Sequence, residues 1–296
     1  MTLEQLRIFL EVAALEHVTK AAQRLNMTQS AVSAAITALE VRHGIVLFDR
    51  VGRSIVLNPM GRQFLKQAQD VMASARAAEA ALADLSGLQH GELTIMASQT
   101  IAGHWLPARL VAFRQARPGI RLDVRIGNTT EVSEAVAEGQ AELGLIEWPS
   151  PRRGLSMNPI AVDEMVVVVA PTHPWARRTE PVARFSESVW VLREPGSGTR
   201  LAFEEMIAQA GLGIGDLDIA LTLPGNMAVI GAVTAGLGAT LVSRSAVAAS
   251  LTAGFLAEAP VKPMPRPFFV LKHAERYHSR AALAFETFLE EHGMDT

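Results

Sequence analysis

Thr28, Gln29, Ser30, Ser33 and Thr37 carry short hydroxyl and amide groups at spacings that recur on one side of a helix. Side chains of this size can donate to and accept from base edges in a DNA major groove. They are not a catalytic set, and nothing else in the chain supplies one. The eight histidines are scattered, and His273 with His278 lacks the spacing of a helical metal pair. Cysteine is absent, which excludes a disulfide framework and thiolate chemistry. No stretch resembles a nucleophile elbow. The expectation is a binding protein, with no catalytic residue, cofactor or metal.

Those polar residues need a rigid support, and the surrounding pattern provides one. Residues 18–40 read as two short amphipathic helices joined by a tight polar turn at Asn26-Met27-Thr28. Ala21, Ala22 and Leu25 give the first helix an apolar face; Val32, Ile36 and Leu39 do so for the second. A hydroxyl in Thr28-Gln29-Ser30 can cap the second helix. This is the build of a helix-turn-helix reader, although an ordinary helical hairpin has the same apolar spacing. Next, residues 47–57 alternate around Gly52-Arg53, as a short strand pair would. Such a wing would aim Arg50 and Arg53 at a phosphate backbone or minor groove; a solvated surface hairpin is the plainer alternative.

With these residues in step, Leu3 to Leu65 resembles the winged helix-turn-helix domain of LysR-type transcriptional regulators. Phe9, Ala21-Ala22, Gln29-Ser30, Ser33, Leu39-Glu40, Leu47-Phe48 and Arg50 carry the resemblance, and the length and later segments extend it over the whole chain. One departure concerns the middle of the second helix, where the family places basic or long polar residues. Here Ala34, Ala35 and Ala38 stand there, with Thr37 the only polar one. Direct base readout should therefore be weak, with more reliance on DNA shape and on several half-sites.

Net charge looks wrong for a DNA binder until it is divided along the chain. The total is −3; residues 1–62 hold seven Lys/Arg and five Asp/Glu, so the excess acid lies in the remainder. Arg42, His43, Arg50, Arg53 and Arg62 gather around the expected wing, while Glu4, Glu11 and Glu16 fall on the first helix. Phosphate binding should be modest per subunit and steeply salt-dependent once subunits combine. Hydrophobic residues make up 49%, which suits packed cores and excludes a disordered chain. The N-terminus lacks the apolar run of a signal peptide or membrane helix, so the cytoplasm is the expected compartment, with no membrane partner.

From Pro59 a long helix is expected to about Ser86-Gly87, with Phe64, Ala68, Val71, Ala75, Ala78, Leu82 and Leu85 alternating four and three apart. That spacing suits a helix–helix seam as well as a core helix. The resemblance makes it the linker that pairs two subunits, in an assembly that is usually tetrameric. Residues 92–296 alternate between strand and helix patterns, as in an α/β domain with largely parallel sheets. Expected strands are 93–97, 121–126, 143–147, 165–170, 189–192, 219–223, 239–242 and 268–272. The resemblance implies a two-lobed domain like a type II periplasmic binding protein, with crossings near Ala161–Glu164 and Pro265–Phe268. The expected organisation is thus a DNA-binding domain at 1–62, a linker helix at 63–88 and an effector domain at 89–296. Within the last, lobe I takes 92–162 and 268–296, and lobe II takes 163–267.

In open sheets, ligands gather at strand carboxyl ends and helix N-termini. Those places hold Ser98-Gln99-Thr100, Asn128-Thr129, Glu147, Gly196-Ser197-Gly198-Thr199 and Asn226. Such donors suit a small oxyanion or carboxylate. Singly, Ser98, Thr100 and Thr129 can be plain helix caps, and Glu147 either a surface charge or a residue that restricts anions by repulsion. The glycine-rich loop lacks the lysine of a nucleotide site. Arg193 to Arg200 resembles the regulators linked to sulfur assimilation and carbon fixation, which implies sulfite, sulfate or a related anion; a small organic carboxylate is the alternative. An enzyme on a binding-protein-like fold lacks its constellation, and a transport solute-binding protein would not carry the N-terminal reader. The expected partners are double-stranded DNA, a small-molecule effector and further copies of the chain.

Overall fold

The computed structural model describes residues 1–52, 54–85, 91–149 and 152–292. It falls into two compact units, Met1–Ala83 and Asp84–Thr296. Arg53, Ser86 and Gly87, which figure in the sequence expectations, lie outside the described residues.

The first unit opens with α1 (Leu3–Leu15), α2 (Val18–Leu25) and α3 (Gln29–His43). Thr2 and Gln5 form a capping box on α1, and Thr28 Oγ1 accepts from Ala31 N at the start of α3. Asn26 turns the chain between α2 and α3 in the left-handed region (φ 54°), which asparagine tolerates better than most residues. The apolar faces expected from spacing meet in one core, where Ala21, Val32, Ile36 and Leu39 pack with Phe9 and Leu47. Strands β1 (Phe48–Val51) and β2 (Ser54–Leu57) pair antiparallel around Gly52 (φ 60°). Glu16 anchors this hairpin: its carbonyl accepts from Ile55 N and its Oε1 from Leu57 N. α4 (Pro59–Leu85) follows; Ala68 is buried, while Val71, Leu82 and Leu85 are exposed.

The second unit contains β3 (Gly91–Ser98), α5 (Leu106–Ala116), β4 (Ile120–Gly127), α6 (Thr129–Ala137), β5 (Leu143–Ile146) and β6 (Leu155–Val169). Then come β7 (Trp190–Arg193), α7 (Gly198–Gln209), β8 (Ile219–Leu223), α8 (Asn226–Thr234), β9 (Ala239–Ser243) and α9 (Arg244–Thr252). β10 (Ala257–Glu258), β11 (Met264–His273) and α10 (Arg280–His292) close the chain. One hydrogen-bonded path runs β4-β3-β5-β11-β6-β9-β7-β8, with β10 added on β6.

Pairings are parallel within β3, β4 and β5 and within β7, β8 and β9, but antiparallel wherever β6 or β11 takes part. The sheet is therefore mixed, not largely parallel as the alternating pattern suggests. β6 is also far longer than the expected 165–170, because it continues back to Leu155 against β11. Its first half mixes Asn158, Pro159 and Asp163 among apolar residues, which hides a strand from an apolar-run criterion. The second half, Val166 to Val169, is buried on both faces: Val167 and Val169 pack with Phe203 of α7, Val166 and Val168 with Val229 of α8 and Val247 of α9. Helices cover both faces of such a strand, so its sequence runs apolar without alternation.

Candidate functional site

In the first unit, Gln29, Ser30, Ser33 and Thr37 are all exposed and lie on the flank of α3 beside the buried stripe of Val32, Ile36 and Leu39. Ala34 and Ala38 share that open face, so it is smooth and only sparsely polar. Thr28 is used as the cap, with its hydroxyl 3.1 Å from that of Ser30. Arg50 is exposed on β1.

In the second unit, helix starts and strand ends converge. β3, β4, β5, β7 and β8 end at Ser98, Gly127, Ile146, Arg193 and Leu223, and the expected ligand residues follow directly. Two clusters form. In one, Asn226 Nδ2 donates to Thr100 Oγ1 (3.0 Å), Asn226 N donates to Gln99 Oε1 (3.1 Å), and Arg193 Nη1 donates to Asn226 Oδ1. Arg193 also grips Glu194 with two hydrogen bonds, at 2.7 and 2.8 Å. Burial pushes the Glu194 carboxyl up, but Arg193 outweighs it and holds the group below the usual carboxylate range.

The second cluster centres on Arg266, which is fully buried. Its Nη2 donates to Asp163 Oδ2 at 2.5 Å and its Nη1 to Thr199 Oγ1 at 3.2 Å; Glu147 Oε1 lies 3.8 Å from Nη1. Ser243 donates to the other Asp163 oxygen at 2.8 Å. Asp163 and Arg266 face each other across β6 and β11. A Cβ on Gly198 would sit 2.8 Å from Thr129 Oγ1 and 2.9 Å from Glu147 Cγ, so Thr129 and Glu147 both pack tightly against this glycine at the start of α7.

The buried polar atoms without a hydrogen-bond partner among the described residues include Ser98 Oγ, Thr129 Oγ1, Glu147 Oε2 and Arg266 Nε. Glu147 is 2% exposed, which rules out the surface-charge alternative. Of the possible plain caps, Thr100 and Thr129 are none: Asn128 caps α6 in a capping box with Glu131, and Thr100 makes no capping bond. Ser197 precedes α7 without a side-chain capping bond, and Gly196 (φ 86°) passes close to Thr130, whose N–H donates to the Gly196 carbonyl at 3.2 Å. Sequence reasoning missed Asp163, Arg266 and Ser243. The signal was present, since opposite charges stood in two segments expected to cross. Among the described residues no three His, Cys, Asp or Glu gather to hold a metal, and no helix is long and apolar enough to cross a membrane.

Residues 3–62 match the bacterial regulatory helix-turn-helix protein, lysR family, and residues 86–294 match the LysR substrate binding domain. The chain belongs to the LysR family of transcriptional regulators. It is 34% identical to the uncharacterized HTH-type transcriptional regulator YeiE of Escherichia coli K12, over 96% of each chain. It is 33% identical to a probable RuBisCO transcriptional regulator of Cyanidioschyzon merolae, again over 96% of each. Among solved structures, the LysR family transcriptional regulator CbnR superposes with a TM-score of 0.72 at 21% identity, covering 100% of both chains, which bears on the fold alone. This LysR regulator thus has the expected α/β architecture: a winged helix-turn-helix head and long helix, then a two-lobed domain of periplasmic-binding-protein type. It is a DNA-binding regulator with a ligand-binding domain, and its relatives are regulators, not enzymes.

Proposed function

We propose that this LysR regulator reads its operator through Gln29, Ser30, Ser33 and Thr37, with Thr28 fixing the helix start and Arg50 and Arg53 gripping the backbone. One α3 offers too few base contacts for specificity, so pairing through the exposed seam of α4, into dimers and then tetramers in the cytoplasm, supplies further half-sites. Selection of bound duplexes from a random pool tests the reading face. Gln29→Ala and Ser33→Arg are each expected to change the selected sequence, with the fold and effector binding unchanged. An unaltered selection from both would remove these residues from the reading face.

The effector reading takes 89–296 as the effector domain, after a head at 1–62 and a linker at 63–88, with lobe I at 92–162 and 268–296 and lobe II at 163–267. A small anion, sulfite or sulfate in the first instance, binds where the lobes meet. The unpartnered, buried hydroxyls of Ser98 and Thr129 carry this reading, because buried polar groups are ordinarily satisfied. The nearby starts of α6 and α7 add backbone donors and the positive ends of two helix dipoles. For binding to regulate, the anion must favour one lobe arrangement over another. A thermal-shift panel of sulfite, sulfate, thiosulfate, nitrate, phosphate and small carboxylates should give a selective rise. Ser98→Ala with Thr129→Val is expected to weaken the selected anion about a hundredfold, on the cost of two lost hydrogen bonds to a charged group. DNA binding without effector should be unchanged; full affinity in this double variant would place the anion elsewhere.

A further inference from the structure

Glu147 follows β5 with a carboxylate that is almost wholly buried, and its Oε2 has no hydrogen-bond partner among the described residues. Its Oε1 lies 3.8 Å from Arg266 Nη1, beyond hydrogen-bond reach. The Gly198 contacts place the Glu147 carboxylate and the unpartnered Thr129 hydroxyl against the same glycine, at the N-terminal end of α7. An ionised carboxylate only accepts, and a buried acceptor is costly unless a donor reaches it. We propose that the donor arrives with the effector: the small anion bound here carries a proton or a hydroxyl group, which Glu147 accepts. This rests on the cleft reading above and narrows its ligand class. Singly protonated or hydroxyl-bearing oxyanions fit; fully deprotonated oxyanions do not.

The charges around the cleft favour the same class. Arg193, Arg200 and Arg266 are each already paired, with Glu194, Glu204 and Asp163, so the Glu147 carboxylate is a negative charge in excess of these pairs. Helix N-termini offset this by partial charges only. A fully deprotonated anion therefore meets repulsion from Glu147 and leaves its oxygen unmatched. A protonated one turns that repulsion into a hydrogen bond. Sites built around a ligand's donor reject analogues that lack it by about 10⁴-fold or more.

Near-isosteric anions separate shape from protonation. At neutral pH phosphate keeps a proton where sulfate has none, and hydrogencarbonate keeps one where nitrate has none. Calorimetric titration of the full-length protein with both pairs should show at least about a hundredfold preference for the protonated member of the pair that fits. Glu147→Gln presents an amide donor in the same volume and should reduce that preference below about tenfold, with a thermal melt confirming the fold. If wild-type protein binds sulfate or nitrate as tightly as the protonated counterpart, the inference is overturned while the anion reading stands. If neither pair binds, the inference is overturned; if sulfite and the small carboxylates fail to bind as well, the cleft reading falls with it. The wild-type comparison decides the matter even if the variant does not fold.

Discussion

Arg266→Met is expected to destabilise the second unit by about 3–5 kcal/mol, the range for removing one partner from a buried ion pair. The substitution keeps most of the side-chain volume, so the loss comes from charge and not from a cavity. Asp163 would keep only its hydrogen bond from Ser243, and Glu147 would lose the nearby positive charge. Thr199 would lose its donor as well. All four tryptophans, Trp105, Trp148, Trp175 and Trp190, lie in this unit, so urea unfolding followed by tryptophan fluorescence reports on it directly. A loss below about 1 kcal/mol would show that the network is solvated and weak. Adding Asp163→Asn and Glu147→Gln should recover a large part of the loss, because the stranded charges are then gone. No recovery would mean that Arg266 acts through packing alone.

That network also marks where sequence reasoning reached and where it stopped. The apolar spacing in α2 and α3 was readable because a short amphipathic helix shows its buried face directly in its sequence. Ser98, Thr129 and Thr199 were readable as candidates because parallel strands place their carboxyl ends together. Burial and pairing were not. Nothing in the order of residues says that Glu147 is closed off from water, or that Thr100 is already bonded to Asn226. Those facts depend on how segments far apart in sequence meet, as Asp163 and Arg266 do across β6 and β11. The mixed sheet escaped for a related reason: β6 and β11 each serve both halves of the domain, so polar and proline residues interrupt the apolar pattern.

Gly61→Ala is expected to disable DNA binding while leaving the second unit folded. In the sequence, Asn58-Pro59-Met60-Gly61 shows only a turn and a helix start. In the structure Gly61 lies in the first turn of α4, where an added Cβ would stand 2.1 Å from the Leu47 carbonyl oxygen and 2.7 Å from Leu57 Cδ2. The first of these is backbone and cannot rotate away, so α4 must shift. That shift would break a compact set of bonds at the base of the wing. Asn58 N donates to Leu47 O (3.1 Å), Asn58 Nδ2 to Val46 O (2.8 Å), and Arg62 Nη1 to Leu57 O (2.5 Å). Leu47 and Leu57 belong to the core that holds α3, so the disturbance reaches the reading helix. The cost should be about 3 kcal/mol or more, the upper end for forcing volume into a packed site. Fluorescence anisotropy with a labelled duplex at low salt should show at least a tenfold loss of affinity, even for non-specific DNA. The tryptophan-reported urea transition of the second unit should keep its midpoint. Wild-type affinity for the duplex would mean that α4 and the wing can separate without disturbing α3, and that the close approach at Gly61 is not required for binding.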